Sequence, residues 1–309
     1  MLAGFLDTND EWISSRTGIR ARRIMTDEHL EDLAIAASRR ALESAGLEAD
    51  SLDFVICSNV ANNYVTPAVS TLVQSALGSS CPCIDLNGAC AGFVYALDYA
   101  EAYLQTGRAR NILIVCAEEP SRFCDWHQRE TCVLFGDGAG AVVVTQGDDL
   151  LALHLTASPN KDVIYYRRRL EHTPYESSGL SVDEPLVLRG REVFRLAVES
   201  SKVDLMEVMQ QAGIQPDDAD YFLLHQANIR IINAIREQLG QPEEKFPSNI
   251  ERYGNTSSAS IPILLDELSR SGRIKGNSLL ALSAFGAGFV TGAAILRWSA
   301  WGTAFKTSL

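Results

Sequence analysis

Ile84-Asp85-Leu86-Asn87-Gly88-Ala89-Cys90-Ala91-Gly92-Phe93 is the stretch on which the fold reading turns. A short strand, Pro82 to Leu86, runs into a turn of small residues. A helix then begins at Cys90 and continues to Gln105, with Phe93, Ala96, Leu97, Ala100, Tyr103 and Leu104 on one apolar stripe. A strand-to-helix turn that exposes a nucleophile recurs in acyl-transfer enzymes. A helix N-terminus presents free N–H groups and the positive end of a dipole, so the Cys90 thiol is expected to be acidified toward the thiolate. The alternative for this stretch alone is a buried cysteine acting as a small hydrophobe.

Outward from this turn, strands and helices alternate. Asp32 to Ala45 reads as an amphipathic helix closed by Gly46, and Pro67 to Leu77 as a helix closed by Gly78. Asp53 to Cys57, Asn111 to Ala117 and Ala141 to Thr145 are apolar runs of the kind buried on both faces of a sheet. The second half repeats the style. Gly190 to Ala212, Ile229 to Leu239 and Ser260 to Ser271 read as helices; Tyr221 to Leu224, Leu279 to Leu282 and Ala293 to Leu296 read as strands. The class is therefore α/β, with helices packed on sheet faces. The shared grammar suggests a duplication, with an N-terminal half over 1–149 carrying the cysteine and a C-terminal half over 150–309. Between them, Thr156 to Arg189 is polar and irregular and contains Arg167-Arg168-Arg169; such a long aperiodic segment is usually functional.

The formal net charge of -12 argues against general affinity for nucleic acid. No apolar run is long enough to span a bilayer. The opening Met1-Leu2-Ala3-Gly4-Phe5-Leu6-Asp7 has no basic region and does not read as a signal peptide. The cytoplasm is the expected compartment. Seven cysteines at scattered spacings, with no CxxC pair, suggest reduced thiols and neither a disulfide framework nor a metal site.

His225 ends an apolar strand in Leu223-Leu224-His225-Gln226-Ala227-Asn228, and the carboxyl edge of a sheet is where α/β proteins place ligands. Asn255 lies in Tyr253-Gly254-Asn255-Thr256-Ser257-Ser258-Ala259-Ser260, which also suits an ordinary turn or helix cap. His29, His127, His154 and His172 lie in polar surroundings and carry no assignment. Two glycine clusters, Gly136 to Gly140 and Gly286 to Gly292, lead into strands and lack a dinucleotide fingerprint. Both read as tight turns bringing backbone N–H groups near a site, the second as a source of an oxyanion donor.

Taken together, Asp10-Glu-Trp-Ile13, Arg16-Thr-Gly-Ile-Arg20, Ala89-Cys-Ala-Gly-Phe93, Phe135-Gly-Asp-Gly-Ala-Gly140, His225-Gln-Ala-Asn-Ile-Arg230, Gly254-Asn-Thr-Ser257 and Phe285-Gly-Ala-Gly288 resemble, in order and spacing, β-ketoacyl-[acyl carrier protein] synthase III of the thiolase-like condensing enzymes. The resemblance implies a thiolase-like fold, two duplicated halves in a five-layer αβαβα sandwich, and a homodimer. It implies that Cys90 takes an acyl group from acyl-CoA. His225 and Asn255 would then stabilise the enolate formed as malonyl-acyl carrier protein loses carbon dioxide. The backbone N–H groups of Cys90 and Gly286 would form the oxyanion hole. Coenzyme A positions map onto Trp12, Arg16, Thr17, Arg129, Gly190, Phe194, Asn228 and Arg230. No metal or redox cofactor is implied.

Three departures qualify the resemblance. Where the family often has paired lysines, this chain has Glu237-Gln238, so a basic rim for an acidic carrier falls to Arg191, Arg195, Arg230 and Arg236. The family opens about a strand earlier, which implies that the first half lacks its opening strand or that the chain start is incomplete. Thr66 stands where well-known members have a bulky Phe that limits the acyl pocket from the partner subunit, which implies room for a longer or branched primer. Rival readings are a starter condensing enzyme or acyltransferase of secondary metabolism, and a non-catalytic carrier-binding dimer partner. A hydrolase fits less well, because no acidic residue is placed in sequence to orient His225.

Overall fold

The computed structural model describes residues 2–60, 62–167 and 185–299. Helices are α1 (Asp10–Thr17), α2 (Leu30–Ala45), α3 (Val69–Leu77), α4 (Gly92–Gln105), α5 (Arg129–Cys132), α6 (Gly190–Ala212), α7 (Ile229–Leu239), α8 (Ile250–Tyr253) and α9 (Ser260–Arg270). Strands are β1 (Phe54–Ser58), β2 (Cys83–Leu86), β3 (Asn111–Glu118), β4 (Gly138–Thr145), β5 (Leu150–Asn160), β6 (Ile164–Tyr165), β7 (Val187–Leu188), β8 (Tyr221–Leu224), β9 (Leu279–Gly286) and β10 (Gly288–Arg297).

Local chemistry fixes the element boundaries. α2 starts two residues before Asp32, because the Asp32 carboxylate reaches back 3.0 Å to the backbone N–H of His29 and so belongs inside the first turn. α3 starts at Val69, not Pro67. Asp85, at the end of β2, accepts from the N–H groups of Val69 and Ser70 at 2.9 and 2.8 Å. α7 stops where Gly240 takes the left-handed conformation, φ 65°. The helix expected from Cys90 begins at Gly92, and Ala89–Ala91 form a single 3₁₀ turn ahead of it.

Two four-stranded sheets form, in the orders β2-β1-β3-β4 and β5-β10-β9-β8. In the first, β1 runs parallel to β2 and β3, and β4 is antiparallel to β3. In the second, β8 is parallel to β9, while β10 is antiparallel to both β9 and β5. Period-two alternation sends one face of each strand to a different core. Ile112 and Ile114 of β3, with Leu280 and Leu282 of β9, meet α4 and α9 in a shared central core. Leu113 and Val115 turn the other way, toward α2 and α3. Phe222 and Leu224 of β8 and Ala281 of β9 face α6 and α7. The order is thus helix, sheet, helix, sheet, helix: a five-layer αβαβα sandwich.

Several strands outrun the expected ranges. Leu150–Asn160 is one continuous strand, so the segment expected to be irregular from Thr156 begins as sheet. Arg168, Arg169 and His172 lie outside the described residues. The first glycine cluster is largely strand, not turn. A Cβ on Gly140 would meet Ile263 N at 2.9 Å and Pro262 at 3.0 Å, so bare backbone there lets α9 lie close against β4. Along β4 runs a groove of about 690 Å³ between α2, α4 and α9. Among the described residues no strand pairs with the outer edge of β4, and no helix is long and apolar enough to cross a membrane.

Candidate active site

A six-residue loop, Asn255 to Ser260, ties the three sequence-predicted reactive groups together. Asn255 is set by the first glycine cluster. Its N–H donates to Leu134 O at 2.8 Å, and its carbonyl accepts from Gly136 N–H at 3.0 Å. A side chain at Gly136 would collide with Tyr253 O at 2.2 Å. The N–H expected there to face a ligand is therefore spent on positioning Asn255. Asn255 Oδ1 accepts from Ser257 N–H at 2.8 Å, which leaves its Nδ2 as the outward donor. Ser257 Oγ lies 3.3 Å from Cys90 Sγ. Three residues on, Ser260 Oγ lies 2.8 Å from His225 Nδ1.

The turn that carries Cys90 is pressed onto this loop. Gly92 has no room for a side chain, because a Cβ would sit 2.0 Å from Ser58 Oγ and 3.3 Å from Ser258 Cβ. A Cβ on Gly286 would come within 2.8 Å of Cys90 N and 2.9 Å of Ala89 Cβ. The backbones of Cys90 and Gly286 are thus neighbours, as a two-donor oxyanion hole requires. Ala89 and Ser257 both hold positive φ, 47° and 52°. Non-glycine residues in that region cluster at active sites, where surrounding structure imposes them.

The electrostatics depart from the sequence expectation. Cys90 is half-buried, and its thiol is not acidified. Desolvation pushes its pKa up to about 12, the Ser257 hydrogen bond offsetting only part of that. His225, 2% exposed, is held neutral, its pKa brought down to about 3 by burial. The Gln226 N–H donates to Ser260 Oγ at 3.3 Å. In the tautomer whose Nδ1 accepts the Ser260 proton, His225 presents Nε2–H as a donor. No carboxylate bonds the ring among the described residues. Phe285 packs edge-on at 5.2 Å between ring centroids.

The residues mapped to coenzyme A separate into groups. Arg16 and Arg129 each place a guanidinium 4.7 Å from the centre of the Trp12 ring. Asn228 Nδ2 donates to Arg16 O at 3.2 Å, and Arg230 Nη2 donates to Ser15 O at 2.9 Å. These bonds join α7 to α1 beside the indole. Thr17 is buried, and its hydroxyl closes α1 by donating to Ile13 O at 2.7 Å and accepting from Ile19 N at 3.0 Å, so it is committed to the helix end. Gly190 and Phe194 lie exposed on the first turns of α6.

On the rim, Arg195 pairs with Glu199 at 2.9 Å and Arg236 with Glu237 at 3.5 Å. Arg191 and Arg230 have no ion-paired carboxylate among the described residues. The free basic charge is thus half of what the sequence suggests. Thr66 is exposed between β1 and α3, beside Val65 at 75% exposure.

Sequence reasoning missed the buried hydroxyls of Ser257, Ser258 and Ser260, which read as an ordinary turn. It also missed Glu118. This residue is fully buried, with Oε1 2.5 Å from Ser258 Oγ and 3.1 Å from Ser257 Oγ, and its pKa is raised to about 7 by desolvation. The available signal was a carboxylate at the carboxyl end of an apolar strand, the same rule that singled out His225.

Family models match in two places: 3-Oxoacyl-[acyl-carrier-protein (ACP)] synthase III over residues 84–159, and 3-Oxoacyl-[acyl-carrier-protein (ACP)] synthase III C terminal over residues 209–298. The chain is 42% identical over 302 residues to the beta-ketoacyl-[acyl-carrier-protein] synthase III of Oceanobacillus iheyensis, covering 96% of this chain and 93% of that one. Among solved structures it is similar to the 3-oxoacyl-[acyl-carrier-protein] synthase III of Aquifex aeolicus (TM-score 0.89, 39% identity, 96% and 94% of the two chains). It is likewise similar to the Thermus thermophilus enzyme described as beta-ketoacyl synthase III (TM-score 0.89, 38% identity, 97% and 94%).

Proposed function

The chain belongs to the 3-oxoacyl-[acyl carrier protein] synthase III family, and from that premise we propose how its own residues divide the work of the initiating condensation of fatty acid synthesis. The enzyme is an acyltransferase that joins an acyl-CoA primer to malonyl-acyl carrier protein. The Cys90 sulfur attacks the primer thioester, and coenzyme A leaves. The tetrahedral oxyanion lies between the N–H groups of Cys90 and Gly286. The malonyl thioester then loses its carboxylate as carbon dioxide, and the electron pair moves into an enolate. Its oxygen accepts from His225 Nε2–H and Asn255 Nδ2–H. The enolate carbon attacks the acyl-Cys90 carbonyl, expels the thiolate and leaves a 3-oxoacyl product on the carrier. These steps balance with no redox change and no metal.

The observation that carries this assignment is the Asn255–Ser260 loop, which orients one outward donor on each of two neutral side chains and touches the sulfur with a third residue. Neutral donors suit an enolate that forms and discharges within one turnover. A histidine ionised at rest would bind the ground-state carboxylate as well. Trp12, Arg16, Arg129, Asn228 and Arg230 form the coenzyme A contact, and Gly190 and Phe194, exposed at the start of α6, add to it. Arg191 and Arg230 face the acidic carrier, with Arg195 and Arg236 muted by their partners. The same reading expects a cytoplasmic homodimer in which Thr66 of one protomer borders the acyl pocket of its partner. The secondary-metabolism and non-catalytic readings are not favoured.

Intact-mass measurement tests the assignment. Incubation with acyl-CoAs of increasing length should leave an adduct on the native protein and none on Cys90→Ala, and malonyl-acyl carrier protein should clear it with release of carbon dioxide. An adduct that persists in Cys90→Ala, or that hydrolyses without condensation, overturns the assignment. A strict preference for acetyl-CoA over four- to eight-carbon primers overturns the role given to Thr66.

A further inference from the structure

The reaction leaves one proton unplaced: the thiol must lose it as the acyl group arrives. His225 does not serve: its Nδ1 lies 2.8 Å from Ser260 Oγ, and among the described residues no hydrogen bond links its ring to the Cys90 sulfur. A second polar path leads inward from the sulfur. Ser257 Oγ is 3.3 Å from Cys90 Sγ and 3.1 Å from Glu118 Oε1. Ser258 Oγ lies 2.5 Å from the same carboxylate oxygen, and Val60 N–H donates to Oε2 at 3.2 Å. Ser58 Oγ in turn is 3.1 Å from Ser258 Oγ. Glu118 is 0% exposed, and no arginine, lysine or histidine pairs with it among the described residues. The titratable groups that face it are thiols: Cys90 on the nucleophile turn, Cys116 on its own strand and Cys57 on β1. Gly138, opposite it on β4, adds no charge.

A serine hydroxyl has one proton and can accept as well as donate. With Cys90 as thiol, S–H donates to Ser257 Oγ, and the Ser257 hydroxyl donates to the Glu118 carboxylate. Shift each proton by one bond, and the Cys90 thiolate accepts from Ser257 while protonated Glu118 donates to Ser257. Both patterns use the same atoms at the same distances. The site then never holds two negative charges, which a buried pair of acids avoids.

We propose that Glu118 takes up the Cys90 proton through the Ser257 hydroxyl during acylation and returns it when the acyl–sulfur bond breaks. In acylation the Cys90–acyl bond forms, the coenzyme A–acyl bond breaks, and the departing coenzyme A thiolate is protonated by solvent. In condensation the released Cys90 thiolate reclaims its proton from Glu118. Glu118 is a positioning residue in the sense that it reaches the sulfur only through Ser257. The inference rests on Cys90 being the acyl acceptor.

The test is single-turnover acylation by acetyl-CoA and by four- to eight-carbon acyl-CoAs, followed by intact mass from pH 5.5 to 9.5. For the native enzyme the rate should rise through about pH 7 and then level as Glu118 ionises. Glu118→Gln and Ser257→Ala should each lower the rate at pH 8 about 100-fold, and their rates should climb with pH without levelling. Glu118→Asp should recover part of the plateau. A purely electrostatic role gives the opposite sign: the Glu118 charge raises the thiol pKa, so removing it would quicken acylation. Equal or faster acylation in folded Glu118→Gln, or an unchanged profile in Ser257→Ala, overturns the relay. Failure of the native enzyme to acylate at all overturns the reading of Cys90 instead.

Discussion

The two halves share a three-strand unit and extend it in opposite directions. β1-β3-β4 and β8-β9-β10 have the same pattern, a parallel pair followed by an antiparallel partner. The first half adds β2 beside β1, and the second adds β5 beside β10. β2 is the strand that runs into the Cys90 turn, so the proposed nucleophile comes from an extension that the second half lacks. The second half instead places His225 at the end of β8, where the first half has Ser58 at the end of β1. One scaffold thus presents different chemistry from corresponding strand ends. The extensions also change burial. β10, paired on both edges, is buried from Thr291 to Ile295, while β4 is only half-buried from Ala141 to Thr145.

The sharpest break in this comparison is chemical. Cys90→Ala should abolish acylation outright. His225→Ala and Asn255→Ala should retain the acyl adduct but lose decarboxylation by about 100-fold or more, the usual effect of deleting a donor to a developing oxyanion. Adduct mass and carbon dioxide release separate the two halves. Adduct loss in all three variants would erase the division of labour.

Next in size is the seam where the halves touch. Gly92→Ala forces a Cβ against Ser58 and Ser258 and should cost about 1–3 kcal/mol. Gly147→Ala, with nothing within 4 Å, should leave the melting temperature near the native value. Calorimetry of the two variants compares a packed seam with an open surface.

The pH dependence of stability separates His225 from Ser58, its counterpart in the first half. The folded pKa of His225, about 3, lies below its ordinary 6.5. Its neutral form therefore contributes stability that is fully present above pH 6.5 and is lost as pH falls toward 3. Between pH 6 and 4 the slope from this group approaches about 1.4 kcal/mol per pH unit. Glu118, with its pKa raised to about 7, acts in the opposite sense: stability is greatest below its ordinary 4.5 and is lost as pH rises through about 7. Urea midpoints should accordingly fall less steeply with acid in His225→Gln than in the native protein. Identical slopes would mean that the imidazole is not held neutral.

The smallest effect is local. Amides of β4 that point away from β3 should exchange within seconds, because no described strand pairs with that edge. Those of central β10 should stay protected for hours. Equal protection would mean that the β4 edge is covered in solution.

Element by element, legibility followed locality. Gly190–Ala212 and Ile229–Leu239 were readable to the residue, because apolar periodicity and a closing glycine act within a few turns. β4 and β9 ran longer than the apolar signal, because glycines that mark turns in isolation mark close packing against α9 or Cys90 here. Cys90, His225 and Asn255 stood out because each ends a strand or opens a helix.

The sequence by itself determined the α/β class and the order of elements, and it singled out the three side chains proposed to react, since these depend on near neighbours and on local motifs. Only the tertiary structure decided the state of those groups. It raised the Cys90 thiol instead of acidifying it, committed the Thr17 hydroxyl to a helix end, and placed buried Glu118 two hydrogen bonds from the sulfur. The reason is that a pKa and a hydrogen-bond partner are set by desolvation and by atoms 28 to 167 positions away along the chain, and no local pattern of residues encodes which distant groups will share a dry pocket.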